Sequence, residues 1–387
     1  MQMTDKISGN DFRFDLREAS GALGDLGTLL PLMLGVIAVA GLAPMPVVIG
    51  FGLAYIATAL TYRLPVPVQP MKAVAAVLLT TGATAASVAA SGLMIGVVFL
   101  ILGLTGWIDR LGRLVPQSVL AGLQLGLGVA LGLVALGLIA GDPLIGIVSV
   151  AILAGFLRLP RIPAALIAIA LMTLLGLATG AAGLEVPAFG GFDFGLAALP
   201  SLAELEQAAF ILALPQFSLT LTNAILLTAL VAGDAFGARA ERVTPRRLSL
   251  STGLMNTLLA PFGALPMCHG AGGLVGHHRF GARSGGAPMM LGILLLVLAV
   301  LPGGAGFRLL GMIPAAGLGA LLLFAAIELA LSRRLFDARP SCRPVIAVTA
   351  AVVLIFDPFW GLIAGSLAEL LRRTLIRQLP GPRDSQG

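Results

Sequence analysis

Long apolar blocks separated by short polar stretches run the length of this chain. They fall at 20–41, 43–62, 70–82, 91–107, 116–140, 143–157 and 162–182, and again at 214–233, 246–261, 266–276, 286–302, 307–331, 344–356 and 358–373. A helix needs roughly 20 apolar residues to cross a bilayer, so the longer blocks predict membrane helices and the shorter ones predict half-helices or broken spans. The expected fold is an all-α polytopic membrane protein of about 14 segments. Seven segments precede a more polar stretch at 183–211 and seven follow it. An odd number turns the second half upside down relative to the first, the arrangement of inverted repeats. The expected organisation is a segment 1–19, a first repeat 20–182, a connector 183–211, a second repeat 212–373 and a tail 374–387. Leu196 to Leu214 places Leu, Ala and Phe around Glu204 and Glu206, which predicts an amphipathic surface helix joining the repeats.

Two blocks share a peculiarity. Pro70-Met71-Lys72 follows Pro65-Val66-Pro67-Val68-Gln69, and Pro266-Met267-Cys268 follows Pro261-Phe262-Gly263-Ala264-Leu265. Proline removes a backbone donor and blocks a continuous helix, so each block reads as an irregular stretch leading into a short helix. Irregular backbone at membrane depth is tolerated only where protein or a polar cavity surrounds it. Discontinuous helices at matching places in two halves point to a transporter's substrate site. From the inverted topology the half-helices 70–82 and 266–276 are expected to meet N-terminus to N-terminus near the midplane. Unpaired N–H groups and the positive dipole ends there favour an anion.

Composition agrees with the bilayer. The chain has 387 residues, 58% of them hydrophobic and 11% charged, with a mean hydropathy of +1.01. The net charge of +6 is not a nucleic-acid footprint, because all but Lys72 and Arg308 of the 24 Lys and Arg fall on one side of this topology. That is positive-inside bias, and it predicts both termini in the cytoplasm and, for a bacterial-type cell, an inner-membrane protein. The polar start MQMTDKISGNDFRFDLREAS lacks the basic and apolar regions of a cleaved signal. The two cysteines, Cys268 and Cys342, make neither a disulfide framework nor a metal spacing.

Several polar residues inside the spans are candidates for chemistry. Lys72 would lie in the first turn of a half-helix, where a cation is unfavourable unless an anion or carboxylate is near; the structural alternative is a lysine snorkelling to the interface. Asp25 either pairs with Lys72, takes up a coupling proton or sodium ion, or caps a helix. Thr28 lies one turn deeper and offers a hydroxyl to an oxyanion or to its own backbone. Gln69 would project its amide into the site or satisfy a loop. His269, in Cys268-His269-Gly270-Ala271-Gly272-Gly273, would donate to an oxyanion or bond a neighbouring helix, while the glycines allow close backbone approach. Cys268 reads first as a small apolar packing residue and second as one facing the ligand. Gln216, Thr220, Thr222 and Asn223 gather on one span, as ligand groups or interhelical glue. Asp234 is expected to cap or to form a salt bridge near the cytoplasmic end. His269 lies too far from His277 and His278 for shared metal ligation, so neither a metal nor a cofactor is expected.

At these residues the chain resembles a known family. Gly24-Asp-Leu-Gly-Thr-Leu-Leu-Pro31, Pro67-Val-Gln-Pro-Met-Lys-Ala73, Cys268-His-Gly-Ala-Gly-Gly273 and Arg279-Phe-Gly-Ala-Arg283 look like signature motifs of the molybdate transporter family, a relative of the sulfate permease and anion exchanger superfamily. The resemblance covers nearly the whole chain. It implies seven-plus-seven inverted repeats divided into core and gate domains, an elevator-like movement of one against the other, and carriers that are often homodimers. It also implies a substrate site made by Thr28, Gln69, Lys72, His269 and the backbone around Met71 and Gly270. Only a short tail follows the last helix, unlike many sulfate permeases, which end in a regulatory domain.

The function expected is secondary active import of a tetrahedral oxyanion, molybdate first. Sulfate or a general oxyanion is the same-class alternative, and an anion channel of the same fold is another. Against a membrane-embedded enzyme, Asp25, Glu328 and Glu369 are isolated acids and no Ser/His/Asp set is evident. Importing a dianion against an inside-negative potential costs about 2.3 kcal/mol per charge per 100 mV, so a co-transported proton or sodium ion, or an exchanged anion, is expected.

Overall fold

A chain with few polar residues must satisfy its backbone inside each segment, and the helix is how it does so. The computed structural model describes residues 11–40, 42–81, 83–158, 164–180, 195–356 and 358–378. Among these, Pro44–Tyr62, Ala85–Thr105, Gln117–Gly141, Leu202–Arg242 and Ala315–Phe336 are long and apolar enough to cross a bilayer. Pro143–Phe156, Ala164–Thr179, Gly286–Val300 and Pro340–Ile355 are shorter apolar helical runs. Helix starts carry the expected side-chain caps. Thr84 accepts from Ser87 N, Asp142 from Ile145 N and Thr244 from Arg247 N.

Three long pairings hold the molecule together. Gly286–Val300 lies along Pro44–Tyr62, Pro245–Leu259 along Ala85–Thr105, and Ala315–Ala330 along Gln117–Gly141. The first two are close contacts of small residues, as expected where lipid supplies no hydrophobic drive between helices. A Cβ added to Gly292 would lie 2.7 Å from the carbonyl of Gly52, and one added to Gly253 would lie 2.9 Å from the carbonyl of Gly96.

The structure departs from the sequence reading in three places. The helix expected at 214–233 already begins at Leu202, so the amphipathic surface helix is instead the first part of a span. Ser201 and Glu204 cap its start reciprocally, Leu196 to Pro200 is irregular chain, and 181–194 lie outside the described residues. This helix contains two stretches of wide i→i+5 turns, 207–213 and 220–227. The span expected at 307–331 is two helices, Ala305–Gly311 and Ala315–Ala330, because Pro314 closes off the first. Finally, the second half-helix starts not at Pro266 but at Ala271, for the reason that builds the site.

Candidate functional site

Both proline-led breaks are extended, and they pair. Strand β1, Gln69–Pro70, runs antiparallel to β2, Met267–Cys268, with Gln69 opposite Cys268 and Pro70 opposite Met267. Met71 N adds a further bond to Pro266 O at 2.9 Å. Each strand leads directly into its half-helix, Lys72–Thr81 from β1 and Ala271–Arg279 from β2. Since the strands are antiparallel, the two helices leave in opposite directions and their N-terminal ends converge on this ladder.

Prolines leave carbonyls in excess of donors, and neighbouring side chains correct the imbalance. His269 donates Nδ1–H to Pro67 O at 2.8 Å, and His277 donates its Nδ1–H to Pro65 O at 2.9 Å. A carbonyl can only accept, so in each neutral ring Nε2 is the acceptor. In His269 that nitrogen meets the Ser251 hydroxyl at 2.7 Å, and Ser251 in turn meets the Tyr62 hydroxyl at 2.6 Å. The Tyr62 ring stands edge-on to His269. On the opposite break Asn256 holds both backbone groups of Met267. Its Oδ1 accepts from Met267 N at 2.9 Å and its Nδ2 donates to Met267 O at 2.6 Å. Gln216 caps the first half-helix by accepting from Ala73 N at 2.8 Å, while its Nε2 donates to Thr220 Oγ1 at 2.9 Å.

Behind the ladder Asp25 is buried. Gln69 donates its amide to Asp25 Oδ1, Tyr55 donates its hydroxyl to Oδ2 at 3.3 Å, and the Thr28 hydroxyl turns toward the same carboxylate. The other end of the Gln69 amide is unsatisfied: its Oε1 is buried and has no partner. The same holds for Lys72 Nζ and Asn223 Oδ1. The Lys72 ammonium lies within electrostatic range of Asp25 and Cys268. Met71 is fully buried. Gly270 and Gly273 press against the Gln69 amide, and Gly273 also against Asp25. Asn223 sits in the wide-turned stretch 220–227, which touches both the Ala271–Arg279 half-helix and Gln117–Gly141. Wide turns of this kind recur at functional sites.

The structure therefore brings Asp25, Thr28, Gln69, Lys72, Cys268 and Gly270 around one ladder. His269 belongs to that ladder but turns its ring away into Ser251 and Pro67 O, so both ring nitrogens are committed to protein. Asp234 lies apart, in a two-pronged ion pair with Arg334 at 2.9 and 2.6 Å. Tyr55, Tyr62, Ser251, Asn256 and His277 were not singled out from the sequence. Their signal is a polar side chain recurring in otherwise apolar spans, which reads as glue until the carbonyls needing donors are counted.

A cavity of about 930 Å³ borders the second half-helix, lined by Gln124, Val231, Asp234, Leu274, Val275 and His278 among others. Gln124 is buried, and its Oε1 lacks a partner. Ion pairs of Arg279 with Glu328 at 3.4 Å and of Arg334 with Asp234 stand at its rim.

Comparison with known proteins gives a consistent result. The family model described as "Molybdate transporter of MFS superfamily" matches residues 17–131 and 208–329, one stretch in each half. Molybdate transporter 2 of Arabidopsis thaliana is 31% identical over 368 residues, covering 82% of this chain and 78% of that protein. Molybdate transporter 1 of the same plant is 29% identical, covering 92% and 88%. Among solved structures, the transmembrane domain of the cyanobacterial bicarbonate transporter BicA has a TM-score of 0.63 at 18% identity, covering 90% of this chain and 96% of that one. The murine anion transporter Slc26a9 in its inward-facing state has a TM-score of 0.61 at 14% identity, covering 98% and 70%. At such identities these two establish the fold alone, that of the sulfate permease and SLC26 group.

Proposed function

Because this chain belongs to the molybdate transporter family, we propose that it carries a tetrahedral oxyanion, molybdate in the first place, across the membrane at the β1–β2 ladder. The observation that carries this reading is the buried ammonium of Lys72, with no hydrogen-bond partner, in the first turn of a half-helix whose N-terminus faces a second one. Two dipole ends and a full positive charge in a site shielded from water make a strong field for a dianion. Gln69, Thr28, Cys268 and the backbone of Met71 and Gly270 line the approach. Asn223 is a candidate to contact an oxygen, and His269 acts by fixing the ladder rather than by touching the anion.

The reading extends to mechanism. Residues 20–182 and 212–373 form two inverted repeats, with 1–19, 183–211 and 374–387 as flanking and connecting pieces. The exchanged pairing of helices supports this: Pro44–Tyr62 with Gly286–Val300 mirrors Pro245–Leu259 with Ala85–Thr105. One body carries the ladder and slides, elevator-like, past a second body that includes Gln117–Gly141 and Ala315–Ala330. The inward cavity belongs to one end of that cycle. Transport is secondary active import into the cytoplasm, driven by a co-transported proton or sodium ion, with Asp25 as the coupling group, in a homodimer at the cell's inner membrane. Asp234 acts in a salt bridge at the rim.

The test is molybdate uptake into proteoliposomes by wild type and Lys72→Ala, with and without excess sulfate. Saturable uptake that is lost in the variant and resists sulfate is expected. Equal competition by sulfate makes the protein a general oxyanion carrier. Non-saturating flux makes it a channel. Wild type that moves neither anion overturns the substrate assignment.

A further inference from the structure

A second anion-binding corner lies at the membrane edge, apart from the ladder. A groove of about 660 Å³ has Arg63, Arg242 and Arg247 at its polar end and Ser251 in its wall, with Leu60 and Leu254 among its apolar lining. Arg63 is ion-paired with Asp11, whose carboxylate also lies within electrostatic range of Arg242. Among the described residues, neither Arg242 nor Arg247 has a salt-bridge partner. The groove's own lining holds three guanidiniums and no carboxylate. Asp11 pairs Arg63 from outside it and Asp109 shares the adjoining cavity with Arg247, so the groove keeps an excess of positive charge. Arg63 reaches it from a left-handed backbone conformation, φ 54°, an uncommon state for a residue with a side chain.

The apolar lip decides what the ligand is. Leu60 and Leu254 are 56% and 51% exposed, on the outer faces of the Pro44–Tyr62 and Pro245–Leu259 helices. Exposed leucines just inside a basic rim are the surface that acyl chains cover below a phosphate layer. Guanidinium forks match phosphate oxygens, and basic pockets beside membrane helices take anionic headgroups.

We infer that this groove binds the phosphodiester headgroup of an anionic membrane lipid, and that the bound lipid stiffens the substrate ladder. The route is short. Ser251, in the groove wall, bonds His269 Nε2, and His269 Nδ1 holds Pro67 O beside β1. The single Tyr62 proton lies between two acceptors, the Ser251 oxygen at 2.6 Å and the Arg247 carbonyl at 2.9 Å. Arg247 thus contributes its side chain to the groove and its backbone to the chain of bonds that ends at the ladder.

Lipid binding is read without any transported substrate, so it fails or stands separately from the transport reading. Purified protein in phosphatidylcholine nanodiscs is titrated with phosphatidylglycerol, and retained lipid is counted by native mass spectrometry. Wild type should keep phosphatidylglycerol selectively. Arg242→Gln with Arg247→Gln should weaken retention about thirty-fold, at about 1 kcal/mol per arginine, while Arg247→Lys should retain most of it. Melting in pure phosphatidylcholine shows that the variants are folded. Undiminished retention in the double variant overturns the site. Displacement by millimolar inorganic phosphate makes it a soluble-anion corner and overturns the lipid assignment. For the coupling, phosphatidylglycerol should slow amide exchange across 267–271 in wild type and not in Ser251→Ala. Equal protection in both overturns the route through Ser251.

Discussion

Gly270 and Gln69 touch across the ladder so closely that no side chain fits between them. A Cβ at residue 270 would lie 2.0 Å from Gln69 Oε1. The oxygen it would meet is the buried, unpartnered one, so any side chain at residue 270 would push the Gln69 carboxamide out of its place beside Asp25. Gly270→Ala should therefore abolish molybdate uptake while leaving a folded, membrane-inserted protein. Shortening the neighbour relieves the clash, so Gly270→Ala with Gln69→Ala should melt no lower than Gly270→Ala alone. A melting point that falls further, as for two independent lesions, would sink this account.

Lys72 is expected to cost stability for the sake of binding. A buried charge without a partner is destabilising, and replacing it with an apolar side chain of similar length removes the penalty. Lys72→Met should melt above wild type without substrate, and molybdate should raise the melting point of wild type but not of the variant. A variant that melts lower and still responds to molybdate would place the ammonium outside the site.

Asn256 braces a two-residue strand on its own. Alanine there strands the N–H and C=O of Met267 in a dry interior, at about 1–3 kcal/mol per group. Asn256→Ala should lower the melting point by several degrees, and Asn256→Asp, which sets a buried carboxylate against the Met267 carbonyl, should lower it at least as far at neutral pH. Thermal melts in detergent check the order of the three.

His269 separates holding from touching. With both ring nitrogens spent on Ser251 and Pro67 O, its replacement by Gln should lower stability and the maximal uptake rate while leaving the affinity for molybdate within about twofold. A rise in KM of tenfold or more at unchanged stability would instead put the ring on the anion.

At the edge of the bilayer, Asp15 caps the helix Leu16–Ala22 by accepting from Arg17 N and Glu18 N, both at 2.9 Å. Partial burial pushes its carboxyl up, but the Glu18 amide and the Arg13 guanidinium outweigh it and hold the group below its ordinary value. A carboxyl lowered in the folded state stabilises above its unfolded pKa and loses that contribution as the pH falls through the folded one. Protection of the amides across 16–22, relative to their intrinsic exchange at each pH, should fall in acid for wild type, and much less for Asp15→Asn, which caps without titrating. Asp15→Ala should open the turn at all pH values, by about 1 kcal/mol.

Much of this was written in the prolines. Pro65, Pro67 and Pro70, and Pro261 and Pro266, forbid continuous helix at membrane depth, and half-helices follow from that. What the sequence leaves hidden is the extended pairing that pushes the second helix start to Ala271. Two-residue strands have no alternation to read, and their partner is remote along the chain. The start at Leu202 was legible in Ser201 and Glu204, a capping signal that the run of Leu and Ala around it obscures. The positions of Lys72, Gln69 and Asp25 relative to one another come only from the fold, because β1 registers against β2 and thereby sets Gln69 beside Gly270 and Asp25.

The ladder also fixes when the site can come into being. β1 emerges early in synthesis, yet its partner Met267–Cys268, its brace Asn256 and its donors His269 and His277 all lie in the second half of the chain. Until they arrive, the carbonyls of Pro65 and Pro67 lack the His269 and His277 donors that satisfy them at membrane depth. The first half must therefore wait in the membrane or at its surface with this stretch exposed to water, to the insertion machinery or to a chaperone. A chain cut short before residue 267 has β1 but no partner strand, and two separately made halves complete the ladder only when they meet.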